Sequence, residues 1–140
     1  MKILIAADGS DYTKRMLAYI AAHDDWLGKH HEYTVLTAVL AVPSRAASFV
    51  GTAAVTQFHE DDAEAVFRPI RAFFQQQGID AKFVYAVGHA AEVIATHAED
   101  GRFDMLIMGS RGHGEVINLV LGSVVTKVLA RTSTPVLLIR

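Results

Sequence analysis

Residues 103–131 read FDMLIMGSRGHGEVINLVLGSVVTKVLAR. An apolar run, Phe103 to Met108, gives way to a stretch punctuated by Gly109, Gly112, Gly114 and Gly122. The segment that follows, Ser123 to Arg131, places Val124, Val128 and Leu129 at helical steps. The order is therefore strand, glycine-rich connection, helix. Ser110 and Ser123 stand beside two of the glycines. Such a connection is either a loose surface loop or a backbone cradle for phosphates, and the remainder of the chain sets the weight of the second reading.

Outward from this stretch, the same alternation recurs. Apolar, β-branched-rich runs occupy 2–8, 33–42, 80–87, 103–109 and 134–140. They are nearly continuous rather than alternating, the pattern of strands covered on both faces. Between them, Thr13 to Leu27 carries Met16, Leu17, Ile20 and Leu27 at three- and four-residue steps. A second helical pattern from about His59 to Gln77 sets Ala63, Val66, Phe67, Ile70 and Phe74 on one side, with Gly78 as its stop. A third, Ala90 to Glu99, carries Val93, Ile94 and Ala98. Strands alternating with helices imply parallel strands joined by right-handed crossovers. The expectation is one α/β domain over 1–140, with five parallel strands and four main helices on both faces. Residues 42–55, VPSRAASFVGTAAV, read as a long connecting loop.

Bulk properties narrow the function classes. A chain of 140 residues with 51% hydrophobic and 20% charged residues can bury a core unaided. The net charge of −2, without any block of like charges, lacks the basic footprint of a nucleic-acid or membrane-surface binder. The absence of cysteine excludes disulfides, thiolate metal sites and a cysteine nucleophile. The seven histidines show no metal-ligand spacing, and His59, beside Glu60, Asp61 and Asp62, reads as a solvated helix start. The opening MKILIAADGS turns acidic too soon for a signal peptide, and no run approaches the ~18 apolar residues of a membrane helix. A cytoplasmic protein is expected.

In open α/β sheets, ligands bind beyond the carboxyl ends of the strands. That edge should hold both the AADGSD that ends the first strand and the glycine-rich connection. Glycines let backbone N–H groups approach an anion, and a helix starting at Gly122-Ser123 would add unpaired N–H groups and the positive end of its dipole. Taken singly, each residue has an ordinary explanation. Gly109 suits a tight turn, Ser123 an N-cap, and Arg111 and His113 a solvated loop. Asp8-Gly9-Ser10-Asp11 offers several N-cap residues; capping by Ser10 or Asp11 would leave Asp8 free to bond a ligand. Neither a P-loop nor a G-x-G-x-x-G fingerprint fits the spacing.

Gly109-x-x-Gly112, nine residues, then Gly122-Ser123 resembles the G-x2-G-x9-G-[ST] motif of the nucleotide-binding branch of the universal stress protein family. The opening ILIAADGS, Val87-Gly88 before HAAEVIATHA, and the closing STPVLLIR are similar to the same family, so the resemblance spans the chain. It implies a Rossmann-like (adenine nucleotide alpha hydrolase-like) domain with strand order 3-2-1-4-5. It also implies ATP or another adenine nucleotide as ligand; separately, Mg²⁺ could ride on the phosphates of ATP, since it needs few protein ligands there. By the resemblance, Ala6, Ala7 and Asp8 would flank the adenosine and Val39 would pack on the adenine. Met108, Gly109, Arg111 and Gly112 would wrap ribose and phosphate, and Gly122, Ser123, Val124 and Val125 would close the phosphate site. A homodimer through the last strand, Val136 to Ile139 (with Leu137 and Leu138 between), is implied as well. The second strand's TAVLAVPS departs from the family in lacking a His-Val pair and an Asp.

No catalytic constellation emerges for ATP hydrolysis, since Glu115 is the one acid within the glycine-rich connection. The favoured expectation is a nucleotide-binding, stress-response regulator acting on a protein partner not named by the sequence. The alternatives are a weak ATPase or phosphotransfer enzyme on the same site, and a nucleotide-free interaction module.

Overall fold

The computed structural model describes residues 1–114 and 118–140. Five strands, β1 (Lys2–Ala6), β2 (Glu32–Val39), β3 (Ala81–Val87), β4 (Met105–Gly109) and β5 (Val136–Ile139), form one sheet in the order β3-β2-β1-β4-β5. Every pairing is parallel, and Ile5 of the central strand sits opposite Val35 on one side and Ile107 on the other.

The inner strands β1 and β4 are apolar at successive positions because both faces are covered. By contrast β3, expected to be covered on both faces, lies at the sheet edge and alternates, with Lys82 and Val84 exposed. Ile3, Ile5, Val35 and Ile107 pack under α1 (Asp11–Ala22) and α4 (Thr52–Gln77), against Met16, Ile20, Phe67 and Phe74. Leu4, Leu36, Leu106 and Met108 pack under α5 (Ala90–Asp100) and α6 (Ser123–Arg131), against Ile94, Val125 and Val128. Side chains alternate between the faces with the two-residue period of a strand. Burying each such Ile or Leu is worth about 1.5–3 kcal/mol, so the two clusters carry the stability of the domain.

Three expectations change. The helix read as Thr13–Leu27 breaks at His23: α1 ends at Ala22 and a short α2 (Asp24–Leu27) restarts behind Asp24 and Asp25. The connection at 42–55 is helical for most of its length. It holds α3 (Ser44–Val50) and the first turn of α4, divided by Gly51 at φ +83°, which only glycine adopts without strain. Nothing in α3 is buried, so it has no apolar stripe for a periodicity reading to find. Third, His59 lies inside α4 and is 8% exposed, with no partner for Nε2 among the described residues. It belongs to the buried face that continues through Ala63 and Phe67, not to a solvated helix start.

Candidate functional site

Three chain segments meet beyond the carboxyl ends of β1 and β4, where the sheet order changes direction. The first is the turn from β1 into α1. Gly9, at φ +76°, swings the backbone around so that Ser10 takes the N-cap position. The Ser10 hydroxyl makes no capping bond and has no partner among the described residues. The Asp8 carboxylate organises the turn instead, with Oδ1 accepting from the Ser10 N–H at 2.9 Å and from Thr13 Oγ1 at 3.1 Å. The buried Thr13 hydroxyl in turn accepts from the N–H groups of Asp8 and Gly9, each at 3.2 Å. The expectation that capping by Ser10 or Asp11 would leave Asp8 free is therefore corrected: one of its oxygens is structural.

The second segment is the glycine-rich connection after β4. It leaves the sheet at Ser110, whose N–H donates to the Ile139 carbonyl at 2.8 Å. The Gly122 N–H closes it by donating to the Ser110 carbonyl at 2.7 Å. A Cβ on Gly109 would stand 2.6 Å from that of Tyr12, and one on Gly112 would stand 2.6 Å from Asp8 Oδ2. His113 Nε2 lies 2.6 Å from the Asp8 carbonyl. Part of the glycine spacing is thus demanded by packing against the β1–α1 turn, whatever the ligand.

The third segment is the start of α6. Gly122 is its N-cap, and the Thr126 N–H and hydroxyl both donate to the Gly122 carbonyl at 3.1 Å. The N–H groups of Ser123, Val124 and Val125 have no intrahelical acceptor and face the positive end of the helix dipole. An anion placed there meets three donors without any charged side chain.

Together these segments enclose a cleft of about 250 Å³. Its apolar lining comes from Ala6, Leu36, Ala38, Ala90, Ile94 and Met108. Its polar lining comes from Asp8, Arg111, His113 and the α6 N-terminus. A flat aromatic base joined to an anionic tail has this division of character. Ala6, Ala7, Asp8, Met108, Gly109, Arg111, Gly112, Gly122, Ser123, Val124 and Val125 all line the cleft.

Val39 does not. It is 4% exposed within the cluster under α1 and α4, on the opposite sheet face. The β2 residues that reach the cleft are Leu36 and Ala38, one pleat out of phase with Val39. Leu36, Ala38, Tyr12, Thr13, Ala90, Ile94, His113 and Gly114 are lining residues that sequence reasoning missed. Nothing in the β2 pattern singles out Ala38, whereas the four-residue step from Ala90 to Ile94 marks one helix face turned to the site. Glu115, weighed above as an acid near the phosphates, lies outside the described residues. Among the described residues no group of three or more metal-ligating side chains gathers, and no helix is long and apolar enough to cross a membrane.

This is an open parallel α/β domain with a two-part cleft at its topological switch point, the place where such sheets take ligands. A model of the Universal stress protein family matches residues 1–140, and the chain belongs to that family. A universal stress protein of Thermus aquaticus is 34% identical over 142 residues, covering 99% of this chain and 97% of the relative. Slr1230 of Synechocystis is 31% identical over 139 residues; the match takes in 99% of this chain but only 42% of that longer protein. The structure of MJ0577, from Methanocaldococcus jannaschii, superposes with a TM-score of 0.77 at 26% identity, covering 99% of this chain and 94% of the other. Two more distant members share the fold with bound nucleotides. One, from Archaeoglobus fulgidus, holds dAMP (TM-score 0.69, 18% identity, 100% and 98% covered). The other, from Arabidopsis thaliana, holds AMP (TM-score 0.68, 14% identity, 99% and 90% covered).

Proposed function

We propose that this chain is an adenine-nucleotide-binding regulatory member of the universal stress protein family. The observation that carries the reading is the cleft itself. An apolar slot fit for a base opens onto the N-terminus of α6 and the glycine-rich connection, which suit a phosphate. The base would lie between Ala6, Ala38 and Met108, the ribose beside Asp8 Oδ2, and the phosphate at Ser123, Val124 and Val125, with Arg111 adding charge. The adenylate complexes of the two fold relatives favour a nucleoside monophosphate as the first ligand to test. ATP would extend past the α6 N-terminus and bring Mg²⁺ on its own phosphates.

The role is binding rather than turnover. Among the described lining residues Asp8 is the one carboxylate, and its Oδ1 is tied to Ser10 and Thr13. Occupancy then biases the protein towards one conformation and couples the nucleotide to a protein partner in the cytoplasm. A homodimer through β5 accompanies this reading. β5 pairs with β4 on one side, and no described strand lies on the other. Val136, Leu137 and Leu138 are partly exposed there, an edge that natural sheets do not leave bare.

Mass spectrometry of small molecules released on denaturation, followed by calorimetric titration with AMP and with ATP plus Mg²⁺, tests the proposal. Wild type should bind one adenine nucleotide per chain, and Gly122→Val should bind none, because its side chain would press on the Arg111 backbone, 3.3 Å from a Cβ. Flat titrations of wild type with both nucleotides would leave the interaction-module reading in its place.

A further inference from the structure

We propose that His113 is a positioning residue whose ring clasps the glycine-rich connection onto the β1–α1 turn and so slows escape of the nucleotide. The ligand in this statement rests on the reading above; the clasp rests on the geometry alone. His113 Nε2 is 2.6 Å from the Asp8 carbonyl, across a sequence separation of 105 residues. A carbonyl only accepts, so Nε2 carries the proton and donates. The Asp8 carbonyl lies beyond Ala7, whose N–H makes the neighbouring bond to Leu36 at 2.9 Å. The clasp thus fastens the glycine-rich connection to backbone just past the sheet, where ladder pairing has ended.

Its position within the connection gives the bond leverage. Gly112 is held against Asp8 Oδ2 on one side, whereas a Cβ on Gly114 would meet nothing within 4 Å. His113 and Gly112 also form a shared wall. They line both the cleft and a second pocket with Gly9, Ser10 and Asp11. Releasing the ring from Asp8 would join the two spaces and open a lateral path beside the ribose and phosphate. The side chain is exposed, so it contributes little to the core, and its effect should fall on the local opening of this connection.

The test compares wild type with His113→Ala and His113→Gln, the latter keeping an N–H donor at similar reach. Two readouts are taken: the dissociation rate of a fluorescent AMP analogue, and amide hydrogen exchange over 8–13 and 109–114 in the ligand-free protein. His113→Ala should release the analogue about three- to tenfold faster, the scale of one hydrogen bond. Exchange in both segments should be faster with an unchanged Tm, and His113→Gln should restore most of each. Unchanged exchange in His113→Ala overturns the clasp. Faster exchange with an unchanged dissociation rate overturns its role in retention, and failure of His113→Gln to rescue assigns the effect to ring packing instead of the bond. If wild type does not bind the analogue, the nucleotide reading falls, and the exchange comparison still upholds or refutes the clasp.

Discussion

Gly112 approaches Asp8 so closely that a Cβ at residue 112 would stand 2.6 Å from Oδ2. The carboxylate cannot simply swing away, because Oδ1 is bonded to the Ser10 N–H and to Thr13 Oγ1. Gly112→Ala should therefore destabilise the protein by about 1–3 kcal/mol through overpacking and weaken AMP binding as Asp8 is displaced. In an Asp8→Ala background the same substitution should cost much less stability. Urea denaturation of the four proteins measures this coupling. Equal costs in both backgrounds would refute the steric relationship.

The start of α6 allows stability and binding to be moved in opposite directions. Ser123→Asp places a negative charge in the first turn, where the helix dipole favours it by about 0.3–1 kcal/mol. The same charge would stand where the nucleotide's phosphate is proposed to sit. Thermal denaturation should show a Tm equal to or above that of wild type, while AMP affinity falls at least tenfold. A variant that keeps its affinity would place the phosphate elsewhere.

Neighbouring residues of β2 should separate just as cleanly. Ala38 lines the cleft and Val39 is buried on the opposite face. Ala38→Trp should fill the base slot and abolish AMP binding with a modest effect on stability. Val39→Ala should instead cost about 1–3 kcal/mol of stability by opening a cavity and leave the AMP Kd within about twofold. Calorimetric titration and urea denaturation of the two variants read both quantities. The reverse pattern would place the base against the other face of the sheet.

That pair also shows what was legible before the structure. The inner strands announced themselves because both of their faces are buried, which removes the alternation and leaves runs such as Leu106-Ile107-Met108. The same continuity hides phase. In β2 the polar Thr34 and Thr37 fall at positions of opposite phase, so the pattern cannot say which face Val39 takes, and the register must come from the fold. Helices with a buried stripe were visible, and α3, with none, was not. The glycine-rich connection was legible as a set, yet its partners were not. Tyr12 and Asp8 set the space available to Gly109 and Gly112 from a distance of about a hundred positions in the chain, beyond the reach of any local motif. His59 reads as polar beside three acids, and only the tertiary packing of α4 turns it inward.

The acid sensitivity of the fold should depend on Glu99. Its Oε1 accepts from Thr132 Oγ1 at 2.5 Å, the Ser133 N–H at 2.7 Å and Ser133 Oγ at 3.1 Å, tying the end of α5 to the turn that leads into β5. The Thr132 hydroxyl first, then Ser133, hold the carboxyl below its ordinary value of 4.5, against a smaller opposing push from desolvation. In the unfolded chain the carboxyl regains its ordinary value, so that state takes up the proton first as pH falls. The contribution to stability is thus complete above the ordinary carboxylate range and is lost as pH drops through the depressed folded value. Glu99→Gln removes the charge and this titration with it. The difference in Tm between wild type and Glu99→Gln, followed from roughly pH 7 to pH 3, should shrink on acidification, because wild type loses an interaction that the variant never had. A difference that stays constant over that range would show that the charge of Glu99 does not stabilise the junction.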